Sequence, residues 1–469
     1  MPPSLTDALA RHCRLSPDAA PYEVDWTGRV RGRALAVALP RDVDEVVAVL
    51  RTCVEHGVGV TVRGGGTGLV AGAVPDDTVV LCTTGLTALG PVEDGTLLAG
   101  AGVPLALLQA HVRAAGWDYG VDMASRDSAT VGGTVATNAG GLHVVAHGTT
   151  RAQVLGVEAV MADGSVVSRT GGLVKDATGY DLGQLLVGSE GTLAVITAVR
   201  VRLVAPPRTR ETALVGLPGV GSAVALVGAA RRQAEGLRAA ELLLDEGLAL
   251  VRTELGLPAP LSRPAPVLLL LEAEGGLADV LAGAPVLDAA VAVDAADAAR
   301  LWAYREGLPE ALARLGTRLG PPHKLDVSLP VGRLAAFLAD LPAAVSADGS
   351  SCTTHVFGHV GDGNLHVNVL CPWSGRDDTD DAVDDAVLRL AAAHGGSIGA
   401  EHGVGRLKRR WLHLSRTPAE LAAMRAVKTA LDPTGLLGRG VLLPEVPGEA
   451  APSGAAPGGA APGGAHSNR

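Results

Sequence analysis

Apolar residues recur every three to four positions through "DVDEVVAVLRTCVEH" (42–56). This predicts an amphipathic helix with Val43, Val46, Val47, Leu50 and Val54 on one face. A short apolar run before it, "ALAVALP" (34–40), reads as a strand, and "VGVTV" after Gly57 reads as another, leading directly into "RGGGTGLVAGAVP". Two further glycine-rich stretches follow, "ATVGGTVATNAGG" (129–141) and "LVGSEGTLAVITAVRV" (186–201). Three such loops in the first 200 residues imply repeated close approach of backbone to something. "APPR" (205–208) reads as a hinge. Beyond it the period alternates between strands ("ETALVGLP", "APVLLLLEAEG", "HKLDVSLP") and helices ("ADAARLWAYREGLPEALARL", "VGRLAAFLADL"), predicting an α+β unit with helices on one face of a sheet. The last predicted helix, "TPAELAAMRAVKTALDPTG", has Thr417 as its cap, Pro418 in its first turn and Asp432-Pro433 as its stop. Residues 446–469, with their repeated "AAPGG", carry too little bulk for a core and are expected to be disordered. The expected domains are therefore 1–205, 206–445 and this tail.

Composition narrows the function. A chain of 469 residues, 47% hydrophobic and 19% charged, can build two or three cores. Its net charge of -10 offers no basic face, so no nucleic-acid partner is expected. The first residues show no charged-then-apolar leader and no window approaches a membrane span, so a cytoplasmic location is expected. Five scattered cysteines without a C-x-x-C pair suit a reducing compartment and leave no internal iron–sulfur cluster or zinc ribbon. Electrons handled here would travel on another carrier.

"RGGGTG" after a strand suits an anion cradle of converging N–H groups. It also fits a dinucleotide fingerprint, Gly66-x-Gly68-x-x-Ala71, but Gly72, Pro75, Asp76 and Asp77 interrupt the helix that this fingerprint requires. "RGGGTGLVAGAVP", "ATVGGTVATNAGGLH" and "GYDLGQLLVGSEGTLAVITAV" resemble the FAD-contacting segments of the vanillyl-alcohol oxidase and p-cresol methylhydroxylase superfamily. "FGHVGDGNLHVNV" and "GAEHGVG" resemble its D-2-hydroxyacid dehydrogenase branch. The resemblance runs from about residue 22 to 444 and implies a p-cresol methylhydroxylase-type FAD-binding domain, an α+β ferredoxin-like substrate or cap domain and a C-terminal helical segment. It further implies that Arg63, Gly64, Gly65, Gly66, Thr67 and Gly68 wrap the FAD pyrophosphate. Thr130, Gly132, Gly133, Asn138 and Gly140 would line the isoalloxazine and ribityl side, and Ser189, Glu190, Gly191, Thr192 and Ile196 would add contacts near the phosphates and adenine. With Thr67 in the first loop and no histidine between 57 and 110, the FAD is expected to be noncovalent.

In "FGHVGDGNLHVNV" (357–369), Asp362-Gly363 signals a turn, placing His359 and His366 on antiparallel arms. By themselves two imidazoles leave open a metal, a base or neither. Glu401 and His402 sit adjacent in a glycine-flanked segment that projects them differently. The resemblance assigns His359, His366 and Glu401 as ligands of a divalent metal, with zinc the first choice, and His402 as general base. It also assigns Arg305, Lys324 and Asn368 to the substrate. Pro309 replaces a threonine of the hydroxyglutarate pattern, which leaves the substrate's identity open, and "GRGV" (438–441) replaces the usual Asn-Pro-Gly-Lys, which is expected to alter how the C-terminal segment closes over the flavin. The expected reaction oxidises a small D-2-hydroxy acid of the hydroxyglutarate, lactate or glycolate type. The expected acceptor is external: an electron-transfer flavoprotein, a quinone or an iron–sulfur subunit. A homodimer is among the expected assemblies. Two rival readings are a metal-dependent hydrolase, which leaves the glycine loops unexplained, and a noncatalytic flavin subunit, which predicts that His402 is dispensable.

Overall fold

The computed structural model describes residues 3–173, 175–346, 352–371 and 378–444, so the tail expected to be disordered lies outside it. Four strands, β1 (Arg14–Leu15), β2 (Arg33–Leu39), β3 (Val60–Arg63) and β4 (Asp76–Cys82), form a sheet of order β1-β2-β4-β3, parallel between β2, β4 and β3. The helix Val43–Glu55 starts at Asp42, whose side chain accepts the Glu45 N–H. Its buried face is Val46, Val49, Leu50 and Cys53, whereas Val54 is exposed. The inward stripe is thus rotated from the predicted one, because the i, i+3, i+4, i+7 series that meets the sheet begins at Val46.

A second sheet, order β5-β6-β9-β7-β8, is antiparallel and built from β5 (Leu89–Glu93), β6 (Thr96–Gly100), β7 (Val154–Met161), β8 (Val166–Ser168) and β9 (Ala194–Arg202). One apolar cluster, including Leu50, Leu81, Leu97, Leu108 and Val199, joins these two sheets and their helices.

The third sheet, order β13-β10-β12-β11-β15-β16-β14, is wholly antiparallel. Its strands are β10 (Glu211–Leu217), β11 (Ala239–Leu244), β12 (Val267–Ala273), β13 (Asp288–Ala292), β14 (His323–Ser328), β15 (Thr353–His359) and β16 (Asn364–Leu370). Helices cover both faces, which corrects the expectation of one. Leu226, Leu277 and Phe337 pack on one side with Val215, Leu242 and Leu269, and Val251, Leu301 and Leu312 pack on the other with Leu214, Leu243 and Leu268. The unbroken "VLLLL" of β12 is the physical reason, since every one of its residues needs an apolar neighbour.

Cys352 and Cys371 form a disulfide across the open end of the β15–β16 hairpin, which the reading of scattered cysteines suited to a reducing compartment did not anticipate; Cys13, Cys53 and Cys82 are free and buried. The helix Pro418–Leu431 carries the predicted Thr417 cap, with Glu420 closing the capping box. Its Lys428 Nζ donates to the carbonyls of Thr192 and Leu437, tying the C-terminal segment back to the first half. Among the described residues no helix is long and apolar enough to cross a membrane.

Candidate active site

One cavity of about 430 Å³ collects residues from all three glycine loops and from the hairpin. Of the residues expected to meet FAD, Gly64, Gly65, Gly66, Thr67, Gly68, Thr130, Gly132, Gly133, Gly140, Glu190, Gly191 and Ile196 line it. Four others sit elsewhere. Arg63 donates to the carbonyls of Pro21, Tyr22 and Val24 and lies over the Tyr22 ring. Asn138 ends the helix Val131–Thr137 in a left-handed turn and accepts from the Arg151 N–H. Ser189 is buried, and Thr192 donates to the Ser189 carbonyl.

The first loop is packed on one side and open on the other. A Cβ on Gly65 would fall 1.8 Å from the Ser128 carbonyl oxygen, while one on Gly68 would meet nothing within 4 Å. That bare, open backbone is the shape a phosphate-bearing cofactor needs, so the residues fit FAD. No helix follows the loop, in keeping with the interrupted dinucleotide fingerprint. Gly65→Ala is expected to yield folded protein with little or no bound flavin, seen as loss of the visible flavin absorbance.

Opposite these loops, β15 and β16 present His359 and His366, and the segment after Gly399 presents Glu401 and His402. The Nε2 atoms of His359, His366 and His402 lie 3.8, 3.6 and 3.6 Å from the same oxygen, Glu401 Oε1. Donor atoms of Asp326, His366, Glu401 and His402 all fall within 4.8 Å of one another. Imidazole nitrogens gathered on one carboxylate, as His359 and His366 are on Glu401, could hold a divalent cation of the zinc, manganese or iron type.

Two carboxylates that sequence reasoning missed orient this set. Glu241 on β11, fully buried, accepts from His359 Nδ1 at 2.5 Å and from Arg305 Nε at 2.6 Å. Because a carboxylate only accepts, His359 must donate through Nδ1, which leaves Nε2, the nitrogen facing Glu401, as the atom that would meet a bound cation. Burial alone would raise the Glu241 carboxyl, but His359 and Arg305 hold it down at about 2. Burial would lower the His359 imidazole, but Glu241 outweighs that and lifts it to about 10.

Asp326 on β14, also fully buried, accepts through Oδ2 from the N–H groups of Ala400, Glu401 and His402 at 3.0, 2.8 and 2.9 Å, and through Oδ1 from Asn364 Nδ2 at 2.7 Å. Asp326 thus holds the segment that carries Glu401 and His402. Burial lowers the His402 pKa, opposed by Asp326 and Glu401, so its imidazole favours the neutral form.

Arg305, Lys324 and Asn368 line the same cavity, as does Pro309. The Arg305 guanidinium lies 4.6 Å from the centre of the Phe357 ring. Desolvation lowers the Lys324 ammonium pKa. Asn368 donates weakly to the carbonyls of His355 and His366.

This joined cavity agrees with what the chain is similar to. The family described as "FAD linked oxidases, C-terminal domain" matches residues 206–442, and "FAD binding domain" matches residues 34–170. The chain belongs to the FAD-linked oxidases. Mitochondrial D-2-hydroxyglutarate dehydrogenase of Bos taurus is 38% identical over 90% of this chain and 79% of its own length. The D-2-hydroxyglutarate dehydrogenases of Xanthomonas citri and Stutzerimonas stutzeri are 37% and 34% identical, covering 91% and 89% of this chain and 92% and 93% of their own lengths. Solved structures of alkyldihydroxyacetonephosphate synthase share the fold, with TM-scores of 0.72 and 0.69 at 15% and 16% identity, over 93% of this chain and 86% of theirs. The FAD-linked oxidase is thus an FAD-dependent oxidoreductase of mixed helix and sheet.

Proposed function

We propose that this FAD-linked oxidase oxidises a D-2-hydroxy acid to the 2-oxo acid, with D-2-hydroxyglutarate, the substrate its relatives' names carry, as the first compound to test. The observation that supports this most is the single cavity in which the flavin loops face three histidines and Glu401. FAD held by Gly64–Gly68 and the loops at 130–140 and 190–196 would supply the acceptor for the hydride leaving Cα. A divalent cation held by His359, His366 and Glu401 would supply Lewis acidity toward the substrate's hydroxyl and carboxylate oxygens.

His402 is the proton acceptor in this reading. Its side chain is the most exposed of the three histidines, 21% against 7% and 12%, and faces the cavity, as a base that must pass its proton on should. The hydroxyl proton moves to His402 as the C=O bond forms and the Cα–H bond breaks. Lys324 and Arg305 pair with a substrate carboxylate and fix which face of Cα meets the flavin, and Asn368 adds a polar contact. Pro309, on the cavity wall, donates no hydrogen bond, so D-lactate and glycolate belong in the test. The electrons leave to an external carrier, of which an electron-transfer flavoprotein, a quinone or an iron–sulfur protein are the candidates.

Steady-state rates with a dye acceptor across D- and L-2-hydroxy acids of increasing length test this reading, which expects turnover of D-acids only. Turnover confined to L-acids, or none with any hydroxy acid, contradicts it. Lys324→Ala is expected to raise KM about 10- to 100-fold, the loss of one charge-assisted hydrogen bond, with a smaller effect on kcat.

A further inference from the structure

Glu190, expected from sequence as a flavin contact, spends its carboxylate differently. Oε1 accepts from the Val404 N–H at 2.8 Å, and Oε2 accepts from the Gly405 N–H at 2.7 Å. The Arg406 N–H donates to the Val70 carbonyl at 2.9 Å, and Val70 lies two residues beyond Gly68 of the first glycine loop. The segment 400–406 is therefore suspended between the two halves of the protein. The N–H groups of residues 400–402 end on Asp326 of the third sheet, and those of 404–406 end on Glu190 and Val70 of the flavin half. Glu401 and His402 lie on this span, and Glu190 also lines the flavin cavity beside Gly191. The fit is close: a Cβ on Gly403, whose φ is +85°, would fall 2.8 Å from Glu190 Oε1, and one on Gly140 would fall 2.6 Å from Glu401 Oε2.

We propose that Glu190 is a positioning residue which sets the geometry of the metal ligand Glu401 and the base His402 from the flavin side, so that metal binding depends on Glu190 and on occupancy of the flavin loops. Among the described residues, Glu190 joins the span to the flavin cavity through two backbone N–H bonds. A two-point carboxylate clamp fixes both position and rotation of the peptide planes that follow His402. Because coupling between two bound groups is reciprocal, the flavin and the metal should each strengthen the binding of the other.

The inference rests on the metal reading above, and the experiment keeps the two apart. Zinc affinity of the chelator-stripped protein is measured by competition with a chromophoric chelator, for wild type and Glu190→Gln, each with flavin and after its removal. Glutamine keeps the size but offers one acceptor and turns an NH2 toward a backbone N–H. The expected result is retained flavin absorbance and melting temperature, zinc affinity lower by about 10- to 100-fold, as for removal of a group that orients a ligand, and a loss in kcat larger than the change in KM. Wild type should also bind zinc more weakly without flavin. If Glu190→Gln does not fold, Gly403→Ala takes its place, since it displaces the span without altering charge, and the same affinity loss is expected. Wild-type zinc affinity and kcat in the folded variant overturn the inference, as does loss of flavin with zinc affinity intact. A wild type that binds no divalent metal overturns the metal reading instead.

Discussion

His402→Ala is expected to keep the fold, the flavin spectrum and metal binding while kcat falls by roughly 10²- to 10⁴-fold, the usual contribution of a positioned general base. The expectation follows from geometry. Asp326 fixes the His402 N–H at 2.9 Å, and the imidazole lies parallel to the His366 ring, 5.4 Å away and tilted by 10°. Removing the ring leaves His359, His366 and Glu401 in place, so binding survives and proton transfer does not. The pH profile supplies the check, because the rate should lose its dependence on a neutral imidazole and rise with hydroxide. A noncatalytic flavin subunit of a larger complex predicts instead no turnover by the isolated wild type and an intact function of the complex in this variant.

Glu241→Ala carries the second large effect, this time on stability and metal binding together. Among the described residues Glu241 is the carboxylate that touches both His359 and Arg305, and none of its side chain reaches solvent. Its loss leaves a guanidinium in the protein interior without its counter-charge, which costs about 3–5 kcal/mol. It also frees His359 Nδ1, so the ring no longer presents Nε2 in one tautomer, and metal affinity should drop about 10- to 100-fold. Thermal unfolding and a metal titration read the two effects separately. Glu241→Gln, which keeps the volume and one acceptor, should recover part of the stability but not the metal affinity. An unchanged melting temperature in Glu241→Ala would show that Arg305 does not depend on it.

These two carboxylates also mark where the sequence stops being readable. The hairpin was legible because Asp362-Gly363 fixes the turn, and the turn fixes His359 and His366 on its arms. Glu401 and His402 were legible as an adjacent pair among glycines. Glu241 stands alone in "AAELLL" and Asp326 in "KLDVS", and nothing nearby in sequence says which distant group each meets. A signal did exist for Glu241, since a single acid in an otherwise apolar strand has to find a partner once that strand is buried. The same hairpin register carried an unused clue to the disulfide. Thr353 pairs with Leu370, so Cys352 and Cys371 face each other one step further out. In the fold, the alternation of strands and helices came through, but coverage of both sheet faces depended on the run "VLLLL", whose lack of alternation is the mark of a strand buried on both sides. The glycine loops revealed a close approach of backbone to a ligand. They could not show that Glu190 turns toward the segment that carries His402, because that contact spans 214 residues.

The most direct measurement is an anaerobic single-turnover experiment, mixing the flavin-loaded protein with D-2-hydroxyglutarate and its L isomer and following flavin absorbance before and after exhaustive chelation. Rapid bleaching by the D isomer, none by the L isomer, and loss of bleaching on chelation with recovery on adding zinc or manganese are the predicted results. Flavin that stays oxidised with every D-2-hydroxy acid offered, in protein shown to hold both flavin and metal, would contradict the proposed reaction, and full-rate bleaching in metal-free protein would contradict the role of His359, His366 and Glu401.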